Sequence, residues 1–139
     1  MTPCKILIID DDTDDVEILA DAFKSSGVDA VHYVHTAMQA FIYLEKLKNK
    51  AELPKLIVTD MHLPGITGIE LVQKIREQKA LAYTPIIMLS TSDHPKDVEA
   101  CYLRGANAYL VKPVGIQPLV NTLKSVCEFW LNCNHTATN

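Results

Sequence analysis

Apolar runs of four or five residues recur along this chain, and each is followed by a segment with helical periodicity. The first run, Ile6-Leu7-Ile8-Ile9, stops at Asp10-Asp11-Asp12. Consecutive aliphatic residues without polar alternation indicate a strand covered on both faces. Val16, Leu19, Ala20 and Phe23 then fall at helical spacing, and Gly27 suits the end of that helix. A weaker strand candidate spans 30–34. Thr36 is placed to cap a second helix with Ala37, Ala40, Phe41, Leu44 and Leu47 on one face. Leu56-Ile57-Val58-Thr59 runs into Asp60, and Thr67-Gly68-Ile69-Glu70 has capping-box spacing ahead of Leu71, Val72 and Ile75. Ile86-Ile87-Met88-Leu89 runs into Ser90. Pro95 then opens a helix with Val98, Cys101 and Tyr102 inward and Gly105 past its end. Ala108-Tyr109-Leu110-Val111 runs into Lys112-Pro113, and a last helix carries Leu119, Leu123, Val126, Cys127 and Trp130 on one stripe.

Strict alternation of strand and helix predicts an α/β fold: a doubly wound five-stranded parallel sheet with five helices. The strand order 2-1-3-4-5 follows if the weakly apolar second strand sits at an edge. With 139 residues, 48% hydrophobic and 22% charged, the chain suits one domain over 1–131 and a polar tail over 132–139. A net charge of −4 with no Lys/Arg block argues against direct nucleic-acid binding. Cys4, Cys101, Cys127 and Cys133 form no C-x-x-C pair and no zinc spacing with histidine, so they read as buried or incidental thiols of a reducing cytosol. The N-terminus lacks signal-peptide layout and no apolar stretch approaches the roughly 20 residues of a membrane span. A soluble cytoplasmic protein without membrane insertion is expected.

Four of the apolar runs end in a polar residue able to do chemistry: Asp10 and Asp11, Asp60, Ser90, and Lys112. In a parallel sheet those ends share one edge, where open α/β sheets bind ligands. Three converging carboxylates raise one another's pKa unless a cation joins them. Oxygen donors favour a hard ion, Mg²⁺ or Mn²⁺, over zinc. Lys112 adds a second positive charge and Ser90 a donor to an anionic oxygen. Together they make a phosphoryl site with a carboxylate as nucleophile. Singly, each residue has a bland reading: Asp11 or Asp12 at a helix start, Ser90 capping a turn, Lys112 in solvent. Their joint placement at the strand ends is what argues against that reading.

The stretches Ile6-Leu7-Ile8-Ile9-Asp10-Asp11-Asp12, Asp60-Met61-His62-Leu63-Pro64-Gly65-Ile66-Thr67-Gly68, Pro85-Ile86-Ile87-Met88-Leu89-Ser90 and Gly105-Ala106-Asn107-Ala108-Tyr109-Leu110-Val111-Lys112-Pro113 resemble the receiver domain of two-component response regulators. The resemblance spans roughly residues 4 to 130. It implies a flavodoxin-like fold and Asp60 as phosphoacceptor. Asp10, Asp11 and Asp60 are implied metal ligands, together with the backbone carbonyl of His62. Ser90 and Lys112 are implied partners of the phosphoryl group, Ser90 and Tyr109 the switch pair, and Lys112-Pro113 a cis peptide. Thr91 departs from the family's usual Ala or Gly, and His62 and Ser92 flank the implied path of a hydrolytic water. The implied partners are a sensor histidine kinase or phosphotransfer protein and a downstream protein that the sequence does not name. Because the receiver takes up the chain, output through another protein is expected, with no enzymatic activity beyond its own phosphorylation and dephosphorylation. The acidic start and Glu128-Phe129-Trp130-Leu131 are also similar to small regulators found beside bacterial phytochrome-type kinases, which adds a homodimer as a further partner.

Three rival readings differ at identifiable residues. A hydrolase of the haloacid-dehalogenase type needs a second acid two residues after the nucleophile, where His62 stands. A flavodoxin-like cofactor binder needs a hydroxyl- and glycine-rich loop after the first strand, where three aspartates stand. A degenerate receiver, binding partners without phosphorylation, is demanded by nothing in the site, because every chemical position is filled.

Overall fold

The computed structural model describes residues 5–47 and 49–137, so Cys4 lies outside the described residues. Five strands alternate with five helices: β1 (Ile6–Ile9), α1 (Thr13–Ser25), β2 (Val31–Val34), α2 (Ala37–Glu45), β3 (Leu56–Thr59), α3 (Gly68–Arg76), β4 (Ile86–Ser90), α4 (Pro95–Arg104), β5 (Ala108–Val111) and α5 (Ile116–Cys127). The sheet is parallel in the order β2-β1-β3-β4-β5. Burial explains the order. Every residue of β1, β3 and β4 is buried, whereas β2 is fully buried only at Val34 and β5 ends on the exposed Val111. Strands that can tolerate solvent take the edges.

Alternate side chains feed two cores. Leu7, Ile9, Ile57 and Met88 pack with Ala40, Leu44, Leu71, Val72, Ile75 and Cys101, which puts α2, α3 and α4 on one face. Ile6, Ile8, Val58 and Leu89 pack with Leu19, Phe23, Leu123 and Val126, which puts α1 and α5 on the other. The predicted caps form. Thr36 Oγ1 accepts from the Gln39 N–H at 3.1 Å, and Thr67 Oγ1 from the Glu70 N–H at 3.2 Å. Each such cap contributes about 1 kcal/mol. Gly105 ends α4 at φ 116°, and a Cβ there would lie 2.7 Å from Arg76 Cγ.

Two expectations are corrected. Tyr102 is 49% exposed instead of inward. Its hydroxyl accepts from the Tyr109 N–H at 3.2 Å, so the ring leans along the edge strand and leaves Cys101 to fill the core. The Lys112–Pro113 peptide is trans, as are all described peptide bonds, in line with the intrinsic trans preference of about 0.5–1 kcal/mol.

A wider-turned helical segment, Glu128–Cys133, continues α5 past position 131. Trp130 packs against the α1–α5 core, and Phe129, 52% exposed, meets it edge to face at 5.1 Å. Residues 134–137 help line a half-open cavity of about 420 Å³ with Pro54, Tyr83 and Trp130, at the sheet edge where β3 and β4 begin. Cys101 and Cys127 are buried and Cys133 exposed, none in a disulfide. Burial pushes the Cys101 thiol up to about 11, which keeps it unreactive. No helix among the described residues is long and apolar enough to cross a membrane.

Candidate functional site

The sheet delivers its strand ends to one edge through backbone bonds. Asp10 N–H donates to Val34 O at 3.1 Å, Asp60 N–H to Ile9 O at 2.9 Å, and Lys112 N–H to Ser90 O at 2.7 Å. Asp10 is buried, Asp60 half-buried and Asp11 exposed, and one carboxylate oxygen from each lies within 4.8 Å of the others. Lys112 reaches in from the end of β5. Its Nζ is 3.1 Å from Asp10 Oδ2, 3.2 Å from Asp15 Oδ2 and 3.8 Å from Asp60 Oδ2. Asp10 Oδ1 accepts from the Asp12 N–H at 3.0 Å, and Asp60 Oδ1 lies 3.4 Å from the His62 nitrogen. The His62 side chain is exposed.

The electrostatics follow from crowding. Burial raises the Asp10 carboxyl above its ordinary range, the nearby Asp60 charge adds to this, and the Asp12 N–H and Lys112 only partly offset it. Burial also opposes the charge on Lys112, but Asp10 and Asp60 outweigh it and hold the ammonium above its ordinary value. Three carboxylates with oxygen-only donors fit a hard divalent cation, since such an ion relieves both their repulsion and the desolvation of Asp10.

That fit gives a prediction. Because the folded state holds the Asp10 proton more tightly, it binds more protons than the unfolded chain once pH exceeds the unfolded value of 3.8. Stability from this group therefore falls as pH rises from there through the raised folded value, and the loss persists above it. Asp10→Asn should raise the melting temperature of the metal-free protein at neutral pH. It should also lose most of the gain of about 2.7 kcal/mol expected for wild type when a divalent ion is added at 100 times its Kd. Calorimetric melts in chelator and in Mg²⁺ check both signs.

Glycine is required at position 68. A Cβ there would lie 2.2 Å from Asp60 O and 2.8 Å from Met61 Cα, and the Gly68 N–H donates to Met61 O at 2.8 Å. The start of α3 thus presses directly on the loop that presents Asp60.

Ser90 is fully buried at the end of β4, and its Oγ accepts from the Ser92 N–H at 3.2 Å. Ser92 ties several groups together. Its carbonyl accepts from the Tyr109 hydroxyl at 2.8 Å, and its own hydroxyl donates to Asp97 Oδ2 at 2.6 Å. Ser90 and Tyr109 are therefore linked through a single residue of the β4–α4 loop. Thr91 is exposed.

The strand-end residues anticipated from sequence are thus brought to one edge. Asp15 was not anticipated. Asp12 Oδ1 accepts from the Asp15 N–H at 3.1 Å and fixes the first turn of α1, but that capping spacing carries no sign of the lysine.

The family model for the response regulator receiver domain matches residues 6–124. A chemotaxis protein CheY homologue of Campylobacter jejuni is 32% identical over 122 residues, covering 88% of this chain and 91% of that protein. The response regulator Rcp1 of Synechocystis is 28% identical over 132 residues, covering 93% and 90%. The crystal structure of its Mn²⁺-bound form superposes with a TM-score of 0.84 at 26% identity, over 98% of this chain and 100% of that one. The phosphorylated cyanobacterial phytochrome response regulator RcpA superposes with a TM-score of 0.87 at 29% identity, over 98% and 99%. The chain spans only 17% of a longer plant relative, a two-component response regulator-like protein of rice.

Proposed function

This chain belongs to the response regulator receiver domain family, and on that premise we propose that it is a switch operated by phosphorylation of Asp60 and read by a partner protein. The observation that carries the proposal is the meeting of three carboxylates and one ammonium at the ends of β1, β3 and β5. Asp10, Asp11, Asp60 and the carbonyl of His62 would hold Mg²⁺, or Mn²⁺ as in the Rcp1 structure. The ion, when bound, supplies charge neutralisation to the phosphoryl oxygens.

The protein's own groups do the rest. An Asp60 carboxylate oxygen attacks phosphorus in line, and its bond to phosphorus forms as the bond to the donor breaks. A phosphohistidine nitrogen of a kinase or phosphotransfer protein is the donor in the cell, and small acyl phosphates serve in its place. Lys112 pairs with the transferred group. Ser90 Oγ turns from the Ser92 N–H and donates to a phosphoryl oxygen. Tyr109, whose hydroxyl rests on the Ser92 carbonyl, moves into the space that Ser90 leaves, and the α4–β5–α5 face changes. Water passing between His62 and Ser92 then hydrolyses the acyl phosphate. No catalysis beyond this cycle is proposed.

We place the receiver unit at 1–131 with 132–139 as a tail, acting in the cytoplasm. A histidine kinase or phosphotransfer protein supplies the phosphoryl group and a second protein reads it. Receiver domains generally have such partners. The exposed Phe129 ring offers a contact for a second copy.

The test is intact mass after incubation with acetyl phosphate. A gain of about 80 Da that requires a divalent ion is expected. No gain, together with no binding of beryllofluoride, would point to a module that binds partners without phosphoryl transfer.

A further inference from the structure

We propose that Asp15 is a positioning residue, a counter-ion on α1 that holds Lys112 in the resting state and competes for it with the phosphoryl group on Asp60. The inference rests on the phosphoryl-switch reading and concerns the same site.

Lys112 has three N–H donors, and two of them are within hydrogen-bond reach of carboxylates, those of Asp10 at 3.1 Å and Asp15 at 3.2 Å. Asp60, at 3.8 Å, is the acceptor that phosphorylation would turn into a multiply charged partner. The three acids differ in what relaxes their hold. Asp10 and Asp60 belong to the carboxylate cluster that suits a cation, so cation binding draws down the charge they present to Lys112. Asp15 stands outside that cluster, so a cation bound there does not engage its carboxylate. Cation binding alone therefore leaves Lys112 attached to α1.

Exposure makes this attachment exchangeable. The Asp15 side chain is 44% exposed, against 2% for Asp10, so water can solvate Asp15 when Lys112 departs. Half-exposed pairs of this kind contribute little net stability. The Asp15 backbone meanwhile is fixed by its N–H bond to Asp12, which keeps the carboxylate beside the strand ends. The result is a weak tether of constant geometry. With a cation drawing on Asp10 and Asp60, the Asp15 carboxylate holds Lys112 until a phosphoryl group offers more charge.

Removing the rival should strengthen the phosphoryl contact. Asp15→Asn is expected to bind beryllofluoride, measured by calorimetry in saturating Mg²⁺, roughly twofold to fivefold more tightly than wild type. Asp15→Glu, which retains the charge, should stay closer to wild type than Asp15→Asn does. In a Lys112→Met background Asp15→Asn should change nothing, because no ammonium is left to contest. Equal tightening in both backgrounds would overturn the proposal in favour of general repulsion of an anion, and no tightening in the Lys112 background would overturn it outright.

A second cycle avoids the loaded site altogether. In chelator, the destabilisation caused by Asp15→Asn should be present with Lys112 and absent with Lys112→Met, and additive effects would remove the tether. Wild type failing to bind beryllofluoride at all would instead overturn the phosphoryl reading, and with it the competition.

Discussion

An Asp60→Asn variant is expected to gain no phosphoryl mass in acetyl phosphate and Mg²⁺, where wild type gains about 80 Da. The amide matches the carboxylate in shape but offers no nucleophilic oxygen anion. Neither neighbouring acid can take over. Asp10 is 2% exposed, with one oxygen on the Asp12 N–H and the other on Lys112, so an incoming phosphorus cannot reach it in line. Asp11 is exposed and has no contact with Lys112 among the described residues, so a group bound there would lack that positive charge. The substitution removes one of three clustered charges, so the variant should melt no lower than wild type in chelator. Intact mass read beside a thermal melt separates the two effects. Full stoichiometric labelling of the variant would remove Asp60 from its proposed role.

Arg76→Met is expected to cost about 3 kcal/mol of stability, with no change in labelling of the folded fraction. Arg76 ends α3, and its guanidinium has no carboxylate partner among the described ion pairs. It donates instead to Gly105 O at 2.9 Å, Leu81 O at 2.9 Å, Thr84 O at 2.8 Å and Asn107 Oδ1 at 2.7 Å. Burial lowers its pKa, which marks a charge removed from water and repaid by carbonyl dipoles alone. Asn107 Oδ1 also accepts from the Ile86 N–H at 2.8 Å, so Arg76 and Asn107 together bind the end of α3, the turn before β4, the start of β4 and the α4–β5 loop. Methionine keeps the stem and removes every donor. Those carbonyls then compete for water in a half-buried place, while Asp60 and Lys112 sit at the opposite ends of their strands. Urea unfolding should show a lower midpoint at unchanged slope. A loss under 1 kcal/mol would mean that water replaces the guanidinium at almost no cost.

The parts legible in the sequence were those with a residue-level cause. Strands buried on both faces must be apolar at every position, so β1, β3 and β4 announced themselves, and the polarity of β2 sent it to an edge. Asp10, Asp60, Ser90 and Lys112 stood out because each breaks such a run. What stayed hidden depended on partners without a sequence signature. Arg76 looks like any helix-end cation, since its acceptors are mostly backbone carbonyls that every residue carries. Asp15 is one of five aspartates between positions 10 and 15, and nothing local says which of them meets a lysine near the other end of the chain. Tyr102 had core spacing, but its hydroxyl found a backbone N–H at the sheet edge and the ring went with it.

The bond from Lys112 to Asp10 joins residues 102 positions apart, and four of the five strands are wound between or at those points. No shorter stretch of chain contains the pair. On the proposed reading, the phosphoryl site is consequently incomplete until β5 has left the ribosome and closed against β4.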